Sequence, residues 1–216
     1  MKKIAVIGAT GFVGKSVLKE LVERGYIVTA IARDVQALKN SEHVVAVQAD
    51  VNDVTALAAA IKGTDAVVST FNAGWDNPNI YEDFIRGCRS ILEAVKEAGV
   101  RRIIIVGGAG SLEIDGKRLV DDPNFPKEIK EGALAAADFL EVIKREQELD
   151  WTFVSPAIEM NQKTSGKRTG SYRTALNTPV FDGAGKSRLS VEDLAVAIVD
   201  EIESGQFIKK RFTAGY

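Results

Sequence analysis

The chain predicts an α/β fold, a doubly wound parallel sheet with helices on both faces. Strand-like apolar runs and helical patterns alternate along nearly all of its 216 residues. The strand runs are apolar on both faces, as buried parallel strands are. The first of them passes directly into a glycine-spaced loop and then a helix. Such alternation folds as β-α-β units joined by right-handed crossovers.

Lys3–Gly8 reads as the first strand, and the helix after it carries Val13, Val17, Leu18, Leu21 and Val22 on one face until Gly25 closes it. Tyr26–Ala32 is the second strand and Val44–Gln48 the third, followed by a short alanine-rich helix to Ile61. Gly63-Thr64 turns the chain into the fourth strand, Asp65–Ser69, and a long helix from about Ile80 to Ala98 ends at Gly99. Arg102–Val106 is the fifth strand and the most central by composition. A helix over roughly Lys127 to Glu148 leads to the sixth, Trp151–Ser155. After Pro156 the rhythm changes. Asn161–Gly185 is polar and glycine-bearing, with Gly170–Arg173 and Thr178–Phe181 read as the strands of a short hairpin. Ser190 caps an amphipathic helix, Val191–Ile202, with Glu192 and Asp193 in its first turn, and Gln206–Thr213 reads as one more strand. Residues 1–216 read as one domain, with an irregular segment at about 157–190 expected to wall the substrate side.

Composition narrows the function. A chain 45% apolar and 27% charged is an ordinary globular one, and a net charge of −2 gives no basic face for nucleic acid. One cysteine, Cys88, excludes an internal disulfide and suits a reducing cytoplasm; with a single histidine, His43, it cannot make a zinc site of the common kind. Lys2-Lys3 precedes too short an apolar run to be a signal peptide, and no stretch approaches the roughly 18 to 20 apolar residues of a membrane span. The expectation is a cytoplasmic protein whose partner is a small molecule, with neither metal, membrane nor nucleic acid. Monomer and homodimer both stay open.

The chemistry lies in Gly8-Ala9-Thr10-Gly11-Phe12-Val13-Gly14. Gly8 lets the chain turn off the strand, Gly11 lets backbone approach a pyrophosphate, and Gly14 lets the helix pack closely on the sheet. Amides of Gly11, Phe12 and Val13 then stand at a helix N-terminus, where the dipole favours an anion. This is the dinucleotide-binding arrangement of a Rossmann-type sheet. Its ligand lies at the carboxyl ends of the strands, which here means the loops Gly8–Gly14, Ala32–Val35, Phe71–Gly74 and Gly107–Ser111.

With that loop, Arg33 after strand two and Ala49-Asp50-Val51 after strand three, the chain resembles the atypical branch of the short-chain dehydrogenase/reductase superfamily. Within it the chain is similar to NmrA-like regulators, to the biliverdin/flavin reductase group and to bacterial proteins labelled NAD-dependent epimerase/dehydratase. Ser155-Pro156-Ala157 and Ser190–Ala195 extend the resemblance over the whole chain. It implies NAD(P) as cofactor, held by Gly8, Thr10, Gly11, Phe12, Val13 and Gly14, by Asp50 and Val51 at the adenine, and by the turn Phe71-Asn72-Ala73 beneath a ribose. It also implies contacts from Gly107, Gly108, Ser155, Pro156 and Ala157. The chain departs from the superfamily where catalytic members carry a Tyr-x-x-x-Lys pair. The matching helix reads Glu131-Gly132-Ala133-Leu134-Ala135-Ala136-Ala137-Asp138, with alanines near both positions.

Arg33 stands where an NAD site usually places an acid for the ribose 2′-OH, so NADP(H) is preferred over NAD(H). Asp34 could instead accept from the ribose or cap its own turn. Asp50 could hold adenine or cap the following helix, and Trp75 could wall the nicotinamide pocket or pack over the sheet edge. Ser111 is a candidate catalytic hydroxyl, or else a cap in a glycine-rich turn. Tyr172 is the second catalytic candidate, expected to face the pocket from the late hairpin. These readings converge on an NADP(H)-dependent oxidoreductase of a small conjugated, quinone-like or flavin acceptor, acting without the usual acid/base pair. The alternative is a non-catalytic NADP(H)-binding redox sensor. A sugar-nucleotide epimerase or dehydratase fits less well.

Overall fold

The computed structural model describes residues 2–216. Its elements are β1 (Lys3–Ile7), α1 (Phe12–Glu23), β2 (Ile27–Ala32), β3 (Val44–Gln48), α2 (Val54–Ile61), β4 (Ala66–Ser69), α3 (Ile80–Glu97), β5 (Arg102–Val106), β6 (Glu113–Ile114), β7 (Lys117–Arg118), α4 (Lys127–Ile143), β8 (Asp150–Ser155), β9 (Arg173–Ala175), α5 (Val191–Ser204) and β10 (Lys210–Gly215). An eight-stranded sheet runs β3-β2-β1-β4-β5-β8-β10-β9, parallel except for β9. Strand order reverses between β1 and β4, which opens a crevice at their carboxyl ends.

Alternate residues of each strand feed opposite layers. Ala5, Ile7, Ile103, Ile105 and Phe153 pack against α2, α3 and α4, while Ile4, Val6, Ile104, Val154 and Phe212 pack against α1 and α5. The predicted α/β fold with helices on both faces is therefore the observed one, and β5 lies at its centre. Ser190 caps α5 as expected, accepting from the Asp193 amide.

The departures have physical causes. The fourth long helix stops at Ile143, five residues short, because the Glu146 carboxylate takes the Glu148 and Leu149 amides at 2.7 and 3.3 Å. The late hairpin does not form. Arg173–Ala175 pairs instead with the open edge of β10, and the stretch around Pro179, which lacks an amide for a ladder, stays irregular. A different hairpin does form, β6–β7, through Asp115 and Gly116 at positive φ (51° and 76°).

The irregular segment does not lie wholly over the strand ends either. Its first part straps the α1–α5 layer: Arg168 grips Glu20 through two 2.8 Å bonds, and the Thr169 and Gly170 amides donate to Asp193 at 2.8 Å. Its later part meets the carboxyl end of β10, where Arg173–Ala175 pairs with Thr213–Gly215 and Val180 packs on Gly215, and at Asn177 its carbonyl accepts from the Glu113 amide.

Candidate functional site

At the switch point the backbone makes the site. Gly8 turns off β1 with φ of +80°, and its amide and that of Ala9 donate to Ile31 O, locking the tips of β1 and β2 together. Thr70, at the end of β4, closes the turn from the other side: its hydroxyl donates to Ile7 O at 2.9 Å and lies 3.1 Å from Gly8 O. A Cβ on Gly8 would meet that hydroxyl at 2.8 Å, and one on Gly14 would lie 2.1 Å from Gly8 O. The first helical bond of α1 runs from Lys15 N to Gly11 O, so the Phe12, Val13 and Gly14 amides precede the ladder. The Gly11 amide is not among the free donors, because it closes the turn onto Gly8 O at 2.9 Å.

A cleft of about 380 Å³ opens beside this turn, between the tips of β1, β2, β3 and β4. Of the residues expected to hold the cofactor, it brings together Gly8, Thr10, Gly11, Arg33, Asp50, Val51, Phe71, Asn72 and Ala73. Phe12, Val13 and Gly14 stand next to it, in the first turn of α1. Asp34 is folded onto its own turn, accepting from the Gln36 amide at 2.9 Å, and Asp50 does the same for Asn52 at 2.8 Å. The helix cap beside Asp50 is Asp53, which accepts from Ala56 N. Phe71 enters the site mostly as structure: its ring lies where a Cβ on Gly87 of α3 would be, 2.5 Å from Cε1, and stacks on Phe84.

The remaining residues expected to contact the cofactor are outside the lining of this cleft, at the carboxyl ends of β5 and β8. Gly107 serves packing, since its Cβ would fall 2.0 Å from the Phe153 ring, and Gly108 and Gly110 press against Ala136 and Ala133 of α4. Ser155, Pro156 and Ala157 are buried at the end of β8. Ser111 is 2% exposed; its Oγ bonds Gly108 O at 3.1 Å and the Ser155 hydroxyl at 2.9 Å, which supports the turn-capping reading. Its carbonyl accepts from Arg211, whose guanidinium also bonds Asn177 and Glu113.

Tyr172 does not reach this cleft. Its hydroxyl donates to Asp200 on α5 at 2.5 Å, in a separate hollow shared with Phe207 and Phe212. Burial, then the Asp200 contact, push its phenol well above the ordinary tyrosine range. The expectation fails because the hairpin that was to aim the ring does not form.

Arg86 lines the cleft and is a candidate that sequence reasoning missed. It rises from α3 to the cleft rim, held by Asp83 at 2.6 Å and Asn52 at 3.3 Å. A solvent-facing arginine inside a long amphipathic helix carries no local motif, so only the tertiary position of α3 reveals it. Arg33 and Arg86 give this part of the cleft two guanidinium groups; Asp34 and Asp50 are turned to their own backbone, while Asp83 pairs with Arg86.

Residues 8–202 match the family described as NAD(P)H-binding. The uncharacterised Bacillus subtilis protein YwnB is 36% identical over 214 residues, 98% of this chain and 97% of that one. Among solved structures, a proposed epimerase from Bacteroides thetaiotaomicron is 43% identical, with all of this chain and 97% of that chain covered and a TM-score of 0.91. A proposed NADH-flavin reductase from Streptococcus pneumoniae is 35% identical, with coverage of 100% and 99% and a TM-score of 0.82.

Proposed function

Because the chain belongs to the NAD(P)H-binding family, within the atypical short-chain dehydrogenase/reductase superfamily, we propose that it is an NADP(H)-dependent oxidoreductase of a small conjugated acceptor, quinone-like or flavin. The observation that carries this reading is the glycine-built turn at the sheet's switch point, whose close approaches leave no room for a Cβ and keep backbone amides open to a diphosphate. When bound, the reduced nicotinamide supplies a hydride to an electrophilic acceptor. The Phe12 and Val13 amides hold the pyrophosphate, Asp50 and Val51 receive the adenine, and Asn72 and Ala73 support a ribose. Arg33 pairs with the 2′-phosphate. That assignment is supported by Asp34, whose carboxylate is engaged by Gln36.

No tyrosine lies on α4, and its Ala133 and Ala136 close on the Gly108–Gly110 turn. With the Ser111 hydroxyl held by Gly108 and Ser155, the proton that accompanies reduction comes from water. An electrophilic, conjugated acceptor is the kind that reacts under those terms, with the protein supplying orientation. The likeness to a proposed NADH-flavin reductase supports this class. Among the described residues no helix is long and apolar enough to cross a membrane; the single buried cysteine suits a reducing cytoplasm.

The test is a thermal-shift titration with NADPH, NADP+, NADH and NAD+, followed by a panel of quinones and flavins with NADPH. Saturation at about 100 times Kd should add roughly 2.7 kcal/mol of stability. Stronger stabilisation by the phosphorylated pair and consumption of NADPH by a conjugated acceptor are expected. Stabilisation without turnover on any acceptor would instead mark a binding module.

A further inference from the structure

Gly132 sits inside α4, a position where glycine weakens a helix relative to alanine. Its neighbours account for it. A Cβ there would lie 2.8 Å from Cζ3 and 3.4 Å from Cε3 of Trp75, and 2.8 Å from Cδ1 of Ile80. The missing side chain lets the indole lie against the helix. Yet this seat does not bury the ring: Trp75 is 56% exposed, whereas Trp151, a core residue, is 3% exposed.

The indole also springs from the rim of the cofactor cleft. Ala73 and Asn77, two residues to either side of it, both line that cleft. The turn that presents it is braced at several points: Gly74 adopts φ of +102°, and its amide donates to Asn72 Oδ1 at 2.7 Å. Asn77 donates from its amide to Gly74 O at 3.1 Å and from its side chain to Asp83 at 2.8 Å. Ile129, three residues before Gly132 and so on the same side of α4, is also exposed.

From this placement we infer that Trp75 is an acceptor shelf, on which a planar conjugated ring stacks beside the cofactor cleft, with Gly132 as the seat that sets the shelf's position. Trp75 binds and positions; it transfers no proton. Stacking on an indole selects flat conjugated rings over saturated ones of equal size, so the shelf governs acceptor specificity. The inference rests on the oxidoreductase reading, whose acceptor it narrows.

The test measures binding and turnover separately in the full chain. Equilibrium dialysis of 2-methyl-1,4-naphthoquinone, with NADP+ saturating, gives its Kd in every variant without chemistry, and quenching of the wild-type tryptophan fluorescence reports stacking on an indole. Trp75→Phe should keep the naphthoquinone Kd within about threefold, and Trp75→Ala should weaken it about tenfold. Thermal shift should give unchanged NADPH affinity in both. Gly132→Ala displaces the indole while leaving it in the chain, and should weaken the naphthoquinone as Trp75→Ala does; the double variant should be no worse than Trp75→Ala alone. In turnover the losses should fall on the naphthoquinone KM, with the KM for NADPH unmoved. NADPH consumption with an unchanged naphthoquinone KM in Trp75→Ala, and no quenching in the wild type, overturns the shelf and leaves the oxidoreductase standing. Naphthoquinone binding that Trp75→Ala weakens, with no NADPH consumed by any acceptor, overturns the oxidoreductase and leaves the shelf.

Discussion

The first turn of α1 rests directly on the backbone of Gly8: a Cβ on Gly14 would lie 2.1 Å from the Gly8 carbonyl oxygen. Neither partner of that contact is a flexible side chain, so nothing at the site can yield cheaply. Gly14→Ala should cost about 1–3 kcal/mol, the usual range for overpacking a close-packed site, and should abolish the thermal shift with NADPH. Gly183→Ala is the control. A Cβ there meets nothing within 4 Å, and the melting temperature should stay put.

Arg33→Ala should weaken NADPH about 10- to 100-fold, the size of one or two charge-assisted hydrogen bonds to phosphate, and leave NADH affinity nearly unchanged. Isothermal titration with both nucleotides checks it. An equal loss for NADH would remove Arg33 from the 2′-phosphate.

Ser111→Ala strands the buried Ser155 hydroxyl, now 2.9 Å from its partner, and should cost about 1–3 kcal/mol of stability. Turnover with a naphthoquinone should stay within about threefold. A proton donor lost at this position would lower kcat by about 10²–10⁴ instead.

Tyr172→Phe removes a hydroxyl from Asp200, which keeps its 2.7 Å pairing with Arg24. A loss near 1 kcal/mol in stability is expected, with no change in the kinetics of NADPH oxidation. A fall in kcat would return Tyr172 to the chemistry.

Asp193 should contribute to an acid transition. Burial acts to raise its carboxyl, but donors from Thr169, Tyr216 and the Gly170 and Thr169 amides outweigh that and hold it below the ordinary range. Their distances are 2.6 to 2.8 Å. A depressed carboxyl stabilises the fold fully above its unfolded value, about 3.9, and that contribution is lost as pH falls through the folded value. Wild-type melting temperature should therefore drop steeply below about pH 4. Asp193→Asn should start lower at pH 7 and show a shallower acid decline.

The sheet was legible because its signals are local. Arg102–Val106 and Val44–Gln48 are built on the apolar runs Ile103–Val106 and Val44–Val47, and the strands have the expected bounds. The glycine turn was legible for the same reason, since each glycine answers a short-range steric demand. What escaped was decided by distant partners. The Glu146 side chain ends α4 where no glycine or proline marks a stop, and the free edge of β10 captures Arg173–Ala175 from the expected hairpin. Asp115-Gly116 is a hairpin signal that was present, but its flanks, Glu113-Ile114 and Lys117-Arg118, lack the alternation that would have called attention to it. Arg86 and the Trp75–Gly132 contact belong to the same class. Arg86 reaches the cleft only once α3 is seated beside the turn after β3, and the indole meets Gly132 only once α4 packs beside α3.

The strap across α1 and α5 has a consequence in time. Arg168 and Glu20 are 148 residues apart, and the strap's other ties reach α5, 24 and 28 residues further along the chain. Closing so long a loop gains nothing until both helices are already seated on the sheet, so the strap docks late in folding. It should also open ahead of the core, because it adds no strand or α-helix of its own and is held by a few bonds to Glu20, Asp193 and Asp200. A protease at low dose should cut first near Lys167, and the nicked sheet should still bind nucleotide.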